Sequence, residues 1–282
     1  MPLMGLLVAL CCVLMPGDQT PQVPEYAIPV TVVDNKMRPV PSLSLADVQV
    51  MIGGVATPAL AVEPDPRPVS MVIIVDGMEQ TDALFARSML TDVLKVLRKH
   101  EPGVRVGLML GIGGATAPTM ALAQEAAATH DRQISRFFRS EVTAVPQDTL
   151  LGAIDALRRE ETQRRVVLML SVNRRQERLQ IPPDLVRAAR LADVTVAMLE
   201  ASGPGRGQDQ ALWLIHSSVG GYYSRLSDVS GMAGPARLLA TALLQAWTVT
   251  FRAAGSGAQE LRIETPALKG TRVIAPAWAT RR

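Results

Sequence analysis

Met71-Val-Ile-Ile-Val-Asp-Gly-Met-Glu-Gln80, followed by Thr81-Asp-Ala-Leu-Phe-Ala-Arg-Ser-Met-Leu90, decides how the rest of the chain is read. An apolar run ends in one aspartate, a glycine turn follows, and then Leu84, Met89, Val93 and Leu97 recur near one face of a helix. A continuous apolar run marks a strand covered on both sides. In open α/β sheets, ligands gather beyond the carboxyl ends of such strands, which makes Asp76 a candidate site residue.

The same rhythm recurs on the carboxyl side. "VRVGLMLGIGG" from Val104, "RRVVLMLSVNR" from Arg164 and "VTVAMLEA" from Val194 read as further buried strands, with "TMALA" from Thr119 as a short edge strand. Between them "RQISRFFRS", "TLLGAIDALRRE" and "PDLVRAARLAD" read as helices, the last opened by Pro182 and Pro183, where proline is tolerated. "QALWLIHSSVGGYYSRL" reads as helix, glycine stop and short strand, and "PARLLATALLQA" as the last helix. Strands alternating with helices imply an α/β domain over residues 68–246: a doubly wound, mostly parallel sheet with helices on both faces.

The flanks differ. Residues 25–66 carry short alternating strands with turn signals at Asp34-Asn35-Lys36 and Gly53-Gly54, and "EPDPRP" (Glu63 to Pro68) reads as a linker. Residues 247–282 return to strand patterns in "WTVTFRA", "QELRIET" and "TRVIAPAW". These N- and C-terminal β-segments are expected to pair with each other. Residues 1–22 read as a signal peptide, from the apolar run Leu3 to Met15 followed by Pro16 and Gly17, in preference to a buried N-terminal helix. Both cysteines, Cys11 and Cys12, lie in that leader, so the mature body has no disulfide or cysteine-based zinc site. The location that follows is secreted, periplasmic or cell-envelope, with membrane contact at most through an uncleaved leader.

Composition removes some classes of function. Aromatics are 4% of the chain and the net charge is only +3, so no base-stacking platform or phosphate-binding stripe is expected, and no nucleic-acid partner. The scattered arginines ("RKH", "RR", "NRRQER") read as solvated helix ends and loops. "GIGGAT" (Gly111 to Thr116) lacks the full dinucleotide-binding spacing and an acidic residue about 20 positions on, and reads as a turn before an edge strand. His100, His130 and His216 share no metal-ligand spacing; His100 and His130 read as helix-end residues and His216 as a core residue. No catalytic constellation and no small-molecule substrate is evident.

Taken in order, the motifs resemble those of the von Willebrand factor type A-related proteins exported by some bacteria. "VTVVDNKMRPVPSLSLADVQVMIGG" is similar to that family's leading segment, with Met37 in place of a glycine and Val48 in place of a phenylalanine. "MVIIVDGMEQ" resembles the first sheet strand and metal loop, and "DTLLGAIDAL" the "T-x-L-x-D-A-L" helix. "RRVVLMLSVNRR" resembles the strand that normally ends in Thr-Asp-Gly, and "LWLIHSSVGGYYSRL" the "L-x-x-L-A-x-x-T-G-G-x-x-F" segment. The resemblance implies a metal-ion-dependent adhesion site of the form Asp-x-Ser-x-Ser, completed by a threonine and an aspartate from two other loops.

The sequence departs from that site at most positions. Asp76 and Thr149 match; the serine positions hold Met78 and Gln80, and the last aspartate falls on Val172, between Ser171 and Asn173. Magnesium takes hard oxygen ligands, and a thioether is a soft, poor one. The site reads as degenerate, with no cofactor expected. Mg²⁺ or Ca²⁺ survives only as a weak alternative, through an oxygen cage rebuilt by Glu79, Asp82 or Asp148.

The resulting expectation is a non-enzymatic, extracytoplasmic binding or scaffold protein with a protein partner. Its contact surface would lie on the loops around Asp76, Gly77, Met78, Gly113, Thr149 and Asn173. The alternatives are a hydrolase or nucleotide-binding enzyme on a similar sheet, for which Asp76 with Ser171 is the thin candidate, or an adhesion module with a rebuilt metal site.

Overall fold

The computed structural model describes residues 23–76, 83–100, 103–110, 120–121, 124–137, 146–160, 164–173, 181, 183–202, 210–227, 230–254 and 259–279. The leader, the turn 77–82 and the "GIGGAT" segment lie outside them. The first β-segment supplies β1 (Glu25–Val33), β2 (Gln49–Ile52), β3 (Val55–Thr57) and β4 (Ala59–Pro64). The alternating part follows as β5 (Val69–Asp76), α1 (Ala83–Arg98), β6 (Val104–Leu110), β7 (Met120–Ala121), α2 (Gln124–Phe137) and α3 (Pro146–Leu157). It continues with β8 (Arg164–Asn173), α4 (Pro183–Ala192), β9 (Val194–Ser202), α5 (Gln210–Val219), β10 (Tyr222–Leu226) and α6 (Ala233–Leu244). The chain closes with β11 (Trp247–Arg252), β12 (Gln259–Glu264), β13 (Arg272–Ile274) and β14 (Trp278–Ala279).

The central sheet runs β10-β9-β8-β5-β6-β7. Its first five strands are parallel, and β7 adds antiparallel to β6 at the edge. All eight residues of β5 are buried, as the unbroken apolar run requires. Met71, Ile73 and Val75 pack with α1 and α6, while Val72 and Ile74 pack with α3, α4 and α5. Burial of each such side chain stabilises the fold by about 1.5–3 kcal/mol. The central strand therefore tolerates a polar residue only at its ends, where Ser70 and Asp76 stand.

The two terminal β-segments pair with one another. The sheets β13-β1-β11-β4 and β14-β12-β2-β3 enclose one apolar core, and β1 runs antiparallel to β11. Tyr26 and Phe251 are register partners in that ladder, their rings stacked at 5.5 Å. Met37 takes a left-handed φ of 62°, which accounts for the glycine that the resembling family uses there. Its side chain is buried in the core beneath α1 and α6, a gain that offsets the backbone strain.

Three local expectations need correction. The linker is shorter than Glu63 to Pro68, because Glu63 and Pro64 pair with β11 at the end of an edge strand, a place open to proline. Asp65 and Arg67 then form a close ion pair instead of a free connection. The helix expected at "RQISRFFRS" begins earlier, at Gln124, since Glu125 and Ala126 to Ala128 are strong helix formers. Arg164 and Arg165 are not solvated. Arg164 is buried, donating to the carbonyls of Leu243 (3.1 Å) and Leu244 (2.6 Å) at the end of α6 and to Arg67 (3.4 Å). Burial lowers its guanidinium to about 10, so it remains a cation at neutral pH. A cation at a helix C-terminus is favourable, and this one ties β8 to the end of α6 and to the backbone just before β5.

The glycine pair after α5 is required by contact as well as by turn. Gly220 and Gly221 have φ of 77° and 92°. A Cβ on Gly220 would meet Ala277 at 2.0 Å, and one on Gly221 would meet the Val196 carbonyl oxygen at 2.0 Å. Gly221→Ala should therefore cost about 2 kcal/mol or more, read as a lower urea midpoint at unchanged slope. An unchanged midpoint would contradict the contact.

Candidate functional site

The carboxyl ends of the strands carry an ordered polar row. Register places Asp76 of β5 beside Ser171 of β8, Ser171 beside Glu200 of β9, and Glu200 beside Arg225 of β10. Side chains alternate along a strand. Asp76, Ser171 and Glu200 therefore share the face of Val72, Val167 and Met198, the face covered by α3, α4 and α5. Asp76, Ser171 and Glu200 are all buried, at 6%, 2% and 0% exposure. Two strand spacings separate Asp76 from Glu200, on the order of 10 Å between backbones.

α3 brings the other half. It packs on β5 and β8 through Leu150, Ala153, Ile154 and Leu157. Thr149 in its first turns is buried at 1% exposure, while the neighbouring Asp148 faces solvent. Gln147 shares the helix face of Leu150 and Ile154 and is 2% exposed, yet neither amide atom has a hydrogen-bond partner among the described residues. Asp76 at the end of β5 and Thr149 near the start of α3 are both buried, and α3 packs on β5. Asp148 is on the solvent side of that helix, unlike Thr149. Gly77, Met78, Glu79, Gln80, Asp82 and Gly113 lie outside the described residues, as do the side chains of Val172 and Asn173.

Glu200 is the site residue that sequence reading passed over. It sits in "VTVAMLEA", where a carboxylate near the end of an apolar strand reads as a strand terminus, although Asp76 in the same setting was recognised. Tyr223 on β10 donates its hydroxyl to the Glu200 carboxylate, and Arg225 Nε stands 4.0 Å away. These contacts are made across strands, so spacing along the chain does not reveal them.

This arrangement limits the chemistry. Among the described residues no group of three or more His, Cys, Asp or Glu side chains is placed to hold a metal ion. The one other carboxylate in the row, Glu200, is already engaged by Tyr223 and Arg225. Nor does the row bring a histidine to Ser171. His216 lies in the last turn of α5, at the opposite end of the sheet, its ring stacked on Tyr223 at 5.7 Å. His130 is not at a helix end as expected. It lies within α2 at 0% exposure, and neither ring nitrogen has a partner among the described residues.

Two predictions follow from these buried groups. Tyr223→Phe removes a donor to a buried carboxylate and should cost about 1.5–3 kcal/mol in urea unfolding, with a smaller loss in a Glu200→Gln background; equal losses would exclude coupling. Burial, and then the nearby Arg98, hold the His130 imidazole below its ordinary 6.5, against a smaller upward pull from Asp131. The unfolded chain therefore takes up a proton at His130 before the folded one, and stability falls as pH drops below about 6.5. His130→Phe should flatten that fall between neutral pH and the carboxylate range; an unchanged pH profile would contradict the assignment.

Comparison with known proteins gives the fold. No family model matches the chain, and no curated protein matches it. Among solved structures, a von Willebrand factor type A protein from Catenulispora acidiphila superposes with a TM-score of 0.51 at 10% identity, covering 92% of this chain and 75% of its own. The conserved hypothetical protein BatB from Bacteroides thetaiotaomicron gives a TM-score of 0.46 at 15% identity, over 63% of this chain and 98% of its own. The pilus adhesin SpaC from Lactobacillus rhamnosus GG gives 0.44 at 11% identity, over 83% of this chain and 48% of its own. The α/β body has the von Willebrand factor type A fold.

Proposed function

We propose that this chain is a non-enzymatic, extracytoplasmic protein-binding or scaffold protein. Its partner would be received on the loops beyond the carboxyl ends of β5, β6 and β8, without a shared divalent cation. The supporting observation is the donor inventory around Asp76. Of the positions that hold the ion in the resembling family, only Asp76 and Thr149 keep a short oxygen ligand; the rest are Met78, Gln80 and Val172. The nearest in-row carboxylate, Glu200, is bound to Tyr223 and close to Arg225. Magnesium asks for near-octahedral oxygen coordination, and one buried carboxylate with the hydroxyls of Thr149 and Ser171 falls short of it.

In this reading Asp76 is structural. It is the buried polar end of the central strand, and the partner is met by apolar contact and not through a cation. Location beyond the cytoplasm rests on the leader-like residues 1–22. Among the described residues no helix is long and apolar enough to cross a membrane.

Thermal unfolding with and without EDTA, and again with excess Mg²⁺ or Ca²⁺, is the test. The expected outcome is one melting temperature throughout. A rise that tracks ion concentration would show binding to the folded state and overturn the proposal. Asp76→Asn should lower stability by about 1–3 kcal/mol, as loss of a buried charged acceptor does.

A further inference from the structure

The opposite end of the sheet carries a cleft of its own. Between the C-terminal ends of α4 and α5 and the strands β12 and β13 there is a cleft of about 1060 Å³. Small-ligand pockets run to about 300–1,000 Å³, so this one is at the upper end and suits a short peptide. It borders Gly220 and Gly221 at the start of β10, whereas Asp76 stands at the finish of β5. The two places share no residue.

Its walls are chemically unequal. Arg190 of α4 is exposed, and its guanidinium is held 4.0 Å above the Trp278 ring. Arg190 makes no ion pair or hydrogen bond among the described residues, so stacking orients the group and leaves its donors open. The other arginine on the wall, Arg262, is paired with Glu264 at 2.7 Å. Two ring nitrogens bordering the cleft, Trp278 Nε1 and His216 Nδ1, are buried without a partner among the described residues.

The α4 terminus would by itself repel an anion, but its Ala192 carbonyl is occupied by Arg165 at 2.6 Å. Beside the cleft the surface turns apolar. Leu191, next to Arg190, is 60% exposed, and Trp213, one helical turn before Ser217, is 47% exposed. Large apolar side chains exposed beside a polar cleft are features of a protein contact.

We propose that this cleft binds an acidic peptide segment of a protein partner, with one carboxylate received by the Arg190 fork and apolar side chains laid on Trp213 and Leu191. One open guanidinium matches one carboxylate in a bidentate pair. The nearby Glu260 disfavours a multiply charged phosphate, and a lone small carboxylate would leave most of the volume unfilled.

The test is selection of a displayed library of random peptides on the immobilised full chain, then affinity measurement on the synthetic winners. Enriched peptides should contain Asp or Glu next to an apolar residue. They should bind Arg190→Gln about tenfold more weakly, as loss of a charge-assisted bidentate pair implies. Ser217→Trp, at an exposed position that tolerates bulk, should block the cleft without loss of melting temperature. Asp76→Asn should leave these affinities unchanged, which separates this site from the surface beyond β5. Failure to enrich any acidic peptide would overturn the proposal. So would winners indifferent to both Arg190→Gln and Ser217→Trp, or winners displaced equally well by inorganic phosphate.

Discussion

The in-register parallel ladder of β5, β8 and β9 is the constraint on which the molecule depends. Its strands β5 and β8 are paired on both sides and both faces are covered by helices, so its interior excludes water and admits apolar side chains alone. Polar residues are therefore pushed to the strand ends. Register then decides which of them become neighbours. That is how Asp76, Ser171 and Glu200, far apart in the chain, come to form one row under α3 and α5.

The terminal β-segments make the second layer of organisation. They come from opposite ends of the chain and share one core, in which Tyr26 lies on Phe251. Arg164 braces the junctions between this layer and the α/β body, bonding the final carbonyls of α6 and the backbone before β5. Met37 does the same by packing, reaching from the first β-turn into the body's core. Gly220 lets Ala277 approach the turn before β10, and the cleft with Arg190 opens beside that contact.

Two ends of the sheet thus have different character. At the carboxyl end Asp76 and Glu200 are buried, and Glu200 is held by Tyr223 and Arg225. At the amino end Arg190 is stacked on Trp278, with no carboxylate paired to it among the described residues.

Much of this was legible in the residues themselves. Unbroken apolar runs beside amphipathic ones determined the α/β class, because a strand buried on both faces and a helix buried on one leave different periodicities. The glycine and asparagine turns determined the hairpins. The partnerships were not. A histidine placed at a helix end proved to be the buried His130, arginines taken for solvated proved to include the clasping Arg164, and Glu200 passed unnoticed. Each depends on which strand or helix lies alongside, and that is settled by long-range register and packing; local pattern records what a residue prefers, and only the assembled core decides which neighbour it meets.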